Sequence, residues 1–556
     1  MTHPLEVADQ PWLARTRSLF ERARDRIDAM LLRLHGRVDT PGYDRGLPYM
    51  FALLQATVLI ALALARHHGL ILGEETAKFA QATWQIAEGV KPVTTLAGGN
   101  VIAEQGSLIL YPLAIMTALF PRTETLMVAK SLALAVTMLP LWRLARRHGQ
   151  LGIGATSLVV FAYGIYSAVH AMNAADFAPA ILAVPALMWA VLFGFDERPR
   201  LMVAAIVFAL CCRADLGLTV AGLGVLLLLG EEQRGESQSR SSVRNAQSRL
   251  PEVKRRLREG RIAATIGLVW VLVAIFLVQP WLDGGDHTFL APYAEFGDSP
   301  LGVLWGIISN PVTFLRSVGS LANFQVLVLL FAPVLFLPLT APRYLMPAVP
   351  LYVLYMGAAV EPGRLREAAQ TVPITVFVFV ATIFALKQAG RTLVKRVRVE
   401  RRIILALLLT SIIFFVRDSP SSPYFKPWDW GPRSAVDIAR LDAVDELPSL
   451  DAPVRASSTV LPLLSERLGV YALDTETGET LSDIVVAAVA DVDWIILDRD
   501  AEALLPADID LFRVRLIERG WEVESRDNDA GIEVYRFTGV VTPEQLEILQ
   551  ASTDGG

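Results

Sequence analysis

The sequence predicts a mainly α-helical polytopic membrane protein, with about 11 transmembrane helices and a C-terminal extracytoplasmic α/β domain. Three observations carry that expectation. Hydrophobic residues make up 53% of the chain and charged residues only 19%, with a mean hydropathy of +0.43. A soluble chain of 556 residues would carry more charge. Apolar runs approaching the ~20 residues that a helix needs to cross a bilayer recur along most of its length. Near residue 418 the pattern changes to short strand-like and helical runs separated by polar turns.

Residues 1–46 read as a cytoplasmic basic amphipathic segment. Leu13, Leu19, Phe20, Ile27, Met30, Leu31 and Leu34 are interleaved with Arg15, Arg17, Arg22, Arg24, Arg26 and Arg33. Ahead of a membrane span such a helix lies on the anionic inner leaflet, so no nucleic-acid partner is expected. The segment lacks the early apolar core of a cleavable signal peptide. A transmembrane domain over 47–417 follows. Its apolar runs fall at 48–66, 124–145, 151–169, 176–195, 199–213, 215–230, 262–281, 324–340, 343–360, 371–388 and 403–417. The pair 199–213 and 215–230 is short and reads as a tight hairpin tipped by Arg213, Ala214 and Asp215.

The net charge of −5 conceals a strong segregation. Basic residues gather at 1–46, at Arg143, Arg146 and Arg147, at Arg255, Arg256 and Arg258, and at Arg396, Arg401 and Arg402. All reach the cytoplasm only if the apolar run 106–120 stays on the outside as an interfacial or re-entrant helix ending at Pro121. The N-terminus is then cytoplasmic and the C-terminus outside. Segment 231–260 is a disordered cytoplasmic linker, and 67–123 and 282–323 are long outer loops roofing a cavity. Arg364 and Arg366, balanced by Glu361 and Glu367, form a mild exception in the outer loop 361–370.

Residues 418–556 form a Pro- and aromatic-rich linker and a small α/β domain. Strands are expected at 454–460, 470–473 and 494–497, helices at 435–446, 461–468 and 507–519, and a hairpin turning at 528–531. The tail 541–556 reads as a short helix with a frayed end. Cys211 and Cys212 are adjacent on an apolar run, a poor geometry for a structural disulfide, and read as small core residues without a metal site.

No Walker loop, HExxH, CxxC pair, GxSxG elbow or dinucleotide fingerprint appears in a supporting context, which argues against ATP-driven transport and against serine or zinc hydrolases. What remains is a set of ionisable residues at membrane edges on one side: Glu75, Glu104, Asp176, Arg213 and Asp215, with Asp283, Asp286, His287 and Glu295 in the second long loop. Charges at such depth are costly and usually face a cavity or a partner. The stretch GEETAKFAQATW at 73–84 organises the rest, because it places Glu74 and Glu75 where the chain leaves the first span. The same acids also suit the first turn of a surface helix. Arg213 and Asp215 equally fit a structural ion pair.

Several blocks resemble the DUF2079 family of prokaryotic membrane proteins, which is similar to GT-C glycosyltransferases. They are GEETAKFAQATWQIAEG, AEQGSLILYPLAIMTALFP, AADFAPAILAVPALMWAV, CRADLGLTV, SNPVTF and APRYLMPAVP, then SSTVLPLLSER, DWIILD and GWEVESRDNDAGIEVYRF. The resemblance aligns Glu75, Gln81 and Trp84 with the family's aspartate, glutamine and tryptophan. It departs at Gln105 and Ala178, where the family has His, and at Arg213-Ala214, where it has Lys-Glu. The missing imidazoles count against a His-bound metal.

The resemblance implies a GT-C-like inverting transfer of a sugar from a polyprenyl-phosphate donor to a cell-envelope glycan or lipid acceptor. The reaction would occur at the outer face of a prokaryotic plasma membrane. Glu75 would be the general base and Arg213 would stabilise the departing phosphate, paired with Asp215. Glu104 and Asp176, with Gln105 and Gln81 beside them, would position the acceptor or hold a divalent cation. Trp84 would stack on a sugar. Two other readings stay open: a transporter or lipid-binding protein whose cavity transforms nothing, and a non-catalytic envelope scaffold.

Overall fold

The computed structural model describes residues 40–229, 242–282, 290, 293–357, 368–393, 396–428, 430–473, 492–499 and 506–539. The basic N-terminal segment up to residue 39, the charges of the loop 361–367, Asp283, Asp286, His287 and the tail 541–556 lie outside the described residues.

Helix α1 (Pro41–His68) has Asp44 in its first turn and Arg66, His67 and His68 in its last, charges that complement its dipole. Glycine 73, in extended conformation, then starts α2 (Glu74–Ala87). A two-stranded hairpin, β1 (Val93–Thr94) and β2 (Gly99–Asn100), leads into α3 (Val101–Gln105). The Asn100 side chain caps that short helix and left-handed Gly106 closes it. The run at 106–120 becomes α4 (Leu110–Leu119), whose 10 residues are too few to cross a bilayer alone.

Then come α5 (Arg122–Arg147), α6 (Ile153–Ala174), α7 (Pro179–Phe195), α8 (Pro199–Cys212) and α9 (Leu216–Leu229). Helix α10 (Ser242–Val273) runs on through a π-helical turn to Leu282. The second long loop holds α11 (Pro300–Ser309) and α12 (Pro311–Val318), bent 92° against each other. Helices α13 (Leu321–Val334), α14 (Val349–Gly357) and α15 (Ala369–Ala389) follow. A hairpin of β3 (Arg391–Leu393) and β4 (Arg396–Arg398) precedes α16 (Arg401–Asp418).

Among the described residues, six helices are long and apolar enough to cross a membrane, or up to seven if the bent pair is one span. Those six match the runs at 48–66, 124–145, 151–169, 262–281, 371–388 and 403–417. Among the described residues the other five expected spans form shorter helices, and prolines interrupt some of them: Pro199 starts α8, and Pro333, Pro338 and Pro342 convert 332–345 into successive 3-10 turns. At 1.5 Å per residue a helix of 14 residues reaches only ~21 Å, short of a ~30 Å hydrocarbon core.

Two expectations are corrected here. The region 231–260 is not linker throughout, since α10 already begins at Ser242 and continues into a span. Helices α8 and α9 do not form a tight hairpin, because α8 packs chiefly on α7 and α9 lies along α10. The reason is small residues. A Cβ on Gly224 would stand 2.3 Å from the Ala264 nitrogen, and one on Gly267 would stand 2.5 Å from the Ala221 nitrogen, so the two backbones touch.

The C-terminal part contains α17 (Ala435–Asp445), β5 (Val454–Ala456), β6 (Val470–Ala472), β7 (Trp494–Asp498), α18 (Pro506–Glu518), β8 (Trp521–Asp527) and β9 (Ile532–Phe537). The sheet order is β6-β5-β7-β9-β8, with β5 parallel to both neighbours and β9 antiparallel to both of its own. Alternation along β7 sends Trp494 and Ile496 to the face covered by α17, and Ile495 and Leu497 to the face covered by α18. Both faces are therefore buried, as a mixed α/β sheet requires. The helix expected at 461–468 is only a 3-10 turn, Leu461–Leu463. Its leucines are used up in the contact with α2, where Leu461 and Leu464 pack in one cluster with Ala77.

Helix α2 is the joint between the two parts. Phe79, Ala80 and Ala82 enter the core of the helical part, whereas Ala77 belongs to the core under the sheet.

Candidate functional site

The site is built where the C-terminal end of α1, the start of α5 and the end of α6 meet. His67 on α1 contacts Glu124 on α5 at 3.4 Å, and Ser131 on α5 donates to Asn173 on α6 at 2.7 Å. At the far end of α5, Arg146 pairs with Asp44 at 2.8 Å and Arg147 with Asp196 at 2.6 Å. Glu124 and the Arg146–Arg147 pair thus occupy opposite ends of α5.

The segment after α6 holds the beginning of α2. Asp176 Oδ1 accepts from the Gly73 N–H at 2.9 Å, and the Thr76 hydroxyl accepts from the Phe177 N–H at 3.0 Å. A Cβ at position 73 would lie 2.9 Å from Asp176 Oδ2, so this approach uses glycine. Arg66 and the fully buried Lys130 both interact electrostatically with Asp176.

Three residues on, Lys78 returns to the same face of α2 as Glu75. Its Nζ donates to Glu75 Oε1 at 2.7 Å and reaches Glu104 on α3 at 3.1 Å. Burial raises the Glu75 pKa most; Lys78 opposes that, while Glu104 and Asp176 add to it, and the carboxyl ends above its ordinary value. Yet 53% of the Glu75 side chain is open. Burial lowers the Lys78 pKa, but the two carboxylates raise it further, so the ammonium is held above its usual value.

Beyond Glu104 the chain is strapped onto the turn between α8 and α9. The Gln105 carbonyl accepts from the Ala214 N–H at 2.9 Å, the Ser107 hydroxyl donates to the Cys212 carbonyl at 3.0 Å, and the Ile109 N–H donates to the Cys211 carbonyl at 2.9 Å. This brings Arg213 and Asp215, paired at 3.0 Å, beside Glu104 and Gln105. Tyr355 on α14 donates its hydroxyl to Asp215 at 2.5 Å, and the Arg213 guanidinium lies 5.1 Å from the centre of its ring.

Six of the sequence candidates are therefore drawn together through Gly73, Lys78 and Ala214: Asp176, Glu75, Glu104, Gln105, Arg213 and Asp215. Two lie elsewhere. Gln81 is fully buried, and its amide donates to the Arg467 carbonyl at 2.8 Å and the Leu468 carbonyl at 3.2 Å, facing the sheet. Trp84 is nine residues beyond Glu75, about 13 Å along the helix axis. Glu295 is exposed in the second long loop. Sequence reasoning missed Lys78, whose i,i+3 spacing from Glu75 was a usable signal, and Tyr355, which approaches Asp215 across 140 positions with no local sign.

A divalent cation does not fit this arrangement as it stands. Among the described residues no group of three His, Cys, Asp or Glu side chains is placed to hold a metal, and the Lys78 ammonium stands where a cation bridging Glu75 and Glu104 would be.

A search of curated proteins finds no match. Two crystal structures of ArnT from Cupriavidus metallidurans are similar to this chain, each at a TM-score of 0.49 and 12% identity. The one bound to undecaprenyl phosphate is matched over 90% of this chain and 99% of its own, and the one in the apo state over 88% and 98%. The model of a family described as a predicted membrane protein matches residues 75–534, from α2 through the apolar helices after α1 into strand β9. The chain is a multi-pass membrane protein that belongs to the DUF2079 family.

Proposed function

We propose that this protein is an inverting membrane glycosyltransferase that takes a sugar from a polyprenyl-phosphate donor at the outer face of a prokaryotic plasma membrane. The acceptor would be a glycan or lipid of the cell envelope. The observation that carries the reading is the gathering of Asp176, Glu75, Glu104 and the Arg213–Asp215 pair, which Lys78 and the backbone bonds from 105–109 to 211–214 draw together next to the end of the membrane-length helix α6. An amphiphilic donor and an aqueous acceptor meet only at such a boundary.

In this mechanism Glu75 accepts the proton of the acceptor hydroxyl as that oxygen attacks the anomeric carbon. A carboxyl raised above its ordinary value is a stronger base than an unperturbed one. The bond from the anomeric carbon to the phosphate oxygen breaks, the configuration inverts, and the electron pair leaves with the lipid phosphate. Arg213 stabilises that developing charge, held in place by Asp215 and the ring of Tyr355. Glu104 and Gln105 orient the acceptor, Asp176 fixes the start of α2, and Gln81 anchors that helix to the sheet. Lys78 keeps the paired acids from repelling each other and takes the place of a metal.

Two measurements test the reading. Purified protein in proteoliposomes should move label from a polyprenyl-phosphate sugar into an envelope acceptor fraction; no transfer with any lipid-linked sugar removes the proposal. An alkaline phosphatase fusion at Asp451 should be active and one at Gln238 inactive, and the reverse pattern would put the site on the wrong side for this donor.

A further inference from the structure

A cleft of about 690 Å³ lies between the end of α1 and the linker that follows α16, and none of the six gathered candidate residues lines it. Its walls carry three cationic side chains, Arg66, Lys426 and Arg433, and the His68 ring, against Asp418 and Asp437. Asp437 is already engaged: it completes the capping box with Ser434 and contacts Arg440 at 3.1 Å. The balance left in the cleft is therefore basic. Two of its residues also keep unsatisfied polar atoms. Arg66 Nε and Asp418 Oδ2 are buried without a hydrogen-bond partner, and such orphans are uncommon in folded proteins unless something else completes them.

Position decides which anion would come here. The cleft is floored by the ends of two membrane-length helices, at Ala65–His68 of α1 and Asp418 of α16. Its linker wall carries Phe425, and Tyr424, Trp428 and Trp430 beside it are exposed, with His68 stacked on Trp430 at 5.8 Å. Aromatic side chains concentrated at a helix end mark the headgroup level of a bilayer. Below, α16 presents Leu405, Leu409, Ile412, Ile413 and Val416 outward as a stripe along which acyl chains can lie.

We infer that this cleft binds the headgroup of an anionic glycerophospholipid, with its phosphate against Lys426, Arg433 and Arg66 and a headgroup hydroxyl donating to Asp418. The site is independent of the transfer reaction and pins the linker, and hence the C-terminal sheet, to the membrane surface. The orphaned acceptor distinguishes headgroups: phosphatidylglycerol offers a hydroxyl donor, whereas phosphatidylcholine offers phosphate without one.

Full-length protein released from membranes of equal parts phosphatidylglycerol and phosphatidylcholine, and weighed intact by native mass spectrometry, should retain phosphatidylglycerol about tenfold over phosphatidylcholine. Lys426→Gln with Arg433→Gln should bring that ratio to parity. Both side chains are exposed, so an unchanged size-exclusion profile is expected alongside. Asp418→Asn, which keeps the cations, should still retain phosphatidylglycerol but hold it no better than phosphatidic acid. Equal retention of both lipids by the wild type would overturn the inference. So would stabilisation by inorganic phosphate alone, which would make the ligand a soluble anion. Retention of polyprenyl phosphate in place of phosphatidylglycerol, lost in the same double variant, would overturn it too by assigning the cleft to the donor.

Discussion

Replacing Glu75 with glutamine is expected to lower transfer from a labelled lipid-linked sugar by about 10²–10⁴-fold, the usual contribution of a positioned general base. That corresponds to roughly 3–5 kcal/mol of transition-state stabilisation. Protein abundance should not change. The Glu75 side chain is 53% open and gives up one contact, while Lys78 keeps Glu104 at 3.1 Å. The pH profile supplies a second readout. The base works only when ionised, so activity in the wild type should fall as pH drops through the raised Glu75 pKa. Lys78 is the influence that lowers that pKa, so Lys78→Met should raise it further and move the acid limb to higher pH. Wild-type transfer by the Glu75→Gln variant would remove Glu75 from the role, and an acid limb that stays put in Lys78→Met would show that a different group titrates.

The membrane class and the α/β nature of the C-terminal part were readable because both rest on local pattern. Hydropathy needs only a window of neighbours, and the unbroken apolar run in WIILD needs only five residues to declare a strand buried on both faces. Span lengths were less readable. Hydropathy sums over 343–360 without noticing that the proline-rich approach holds 342–345 in a 3-10 turn, so that the α-helix starts only at Val349. Packing partners were hidden for a different reason. Nothing in 199–230 says that Gly217 and Gly224 prefer Gly260 and Gly267 to the preceding helix, since that choice depends on backbone approach. The candidate site divides the same way. Acids at the ends of apolar runs could be picked out one by one, whereas the hydrogen bonds from 105–109 to 211–214 join segments about a hundred positions apart. Gln81 shows the converse: its place in a motif was plain, but its two carbonyl partners lie in a part of the chain nearly four hundred residues away.

Those joining bonds make Gly106 the position where a small change should do the most damage. Its φ of +69° is a left-handed conformation that costs a residue with a Cβ about 1 kcal/mol or more, and its Cβ would stand 2.5 Å from that of Ala214. Gly98 has nearly the same φ, +64°, but nothing within 4 Å of the added atom. Alanine at 98 therefore measures the backbone cost alone, and alanine at 106 measures the same cost plus the clash. Overpacking of this kind typically adds about 1–3 kcal/mol. Gly106→Ala should be the less stable of the two by that margin in denaturant unfolding of the detergent-solubilised protein. It should also lose transfer, because relieving the clash pushes Ala214 from the Gln105 carbonyl and carries Arg213 away from Glu104. Gly98→Ala should transfer at the wild-type rate. If the two variants prove equally stable and equally active, the strap between α3 and the α8–α9 turn does not hold the two halves of the site together, and Arg213 would have to be positioned through Tyr355 instead.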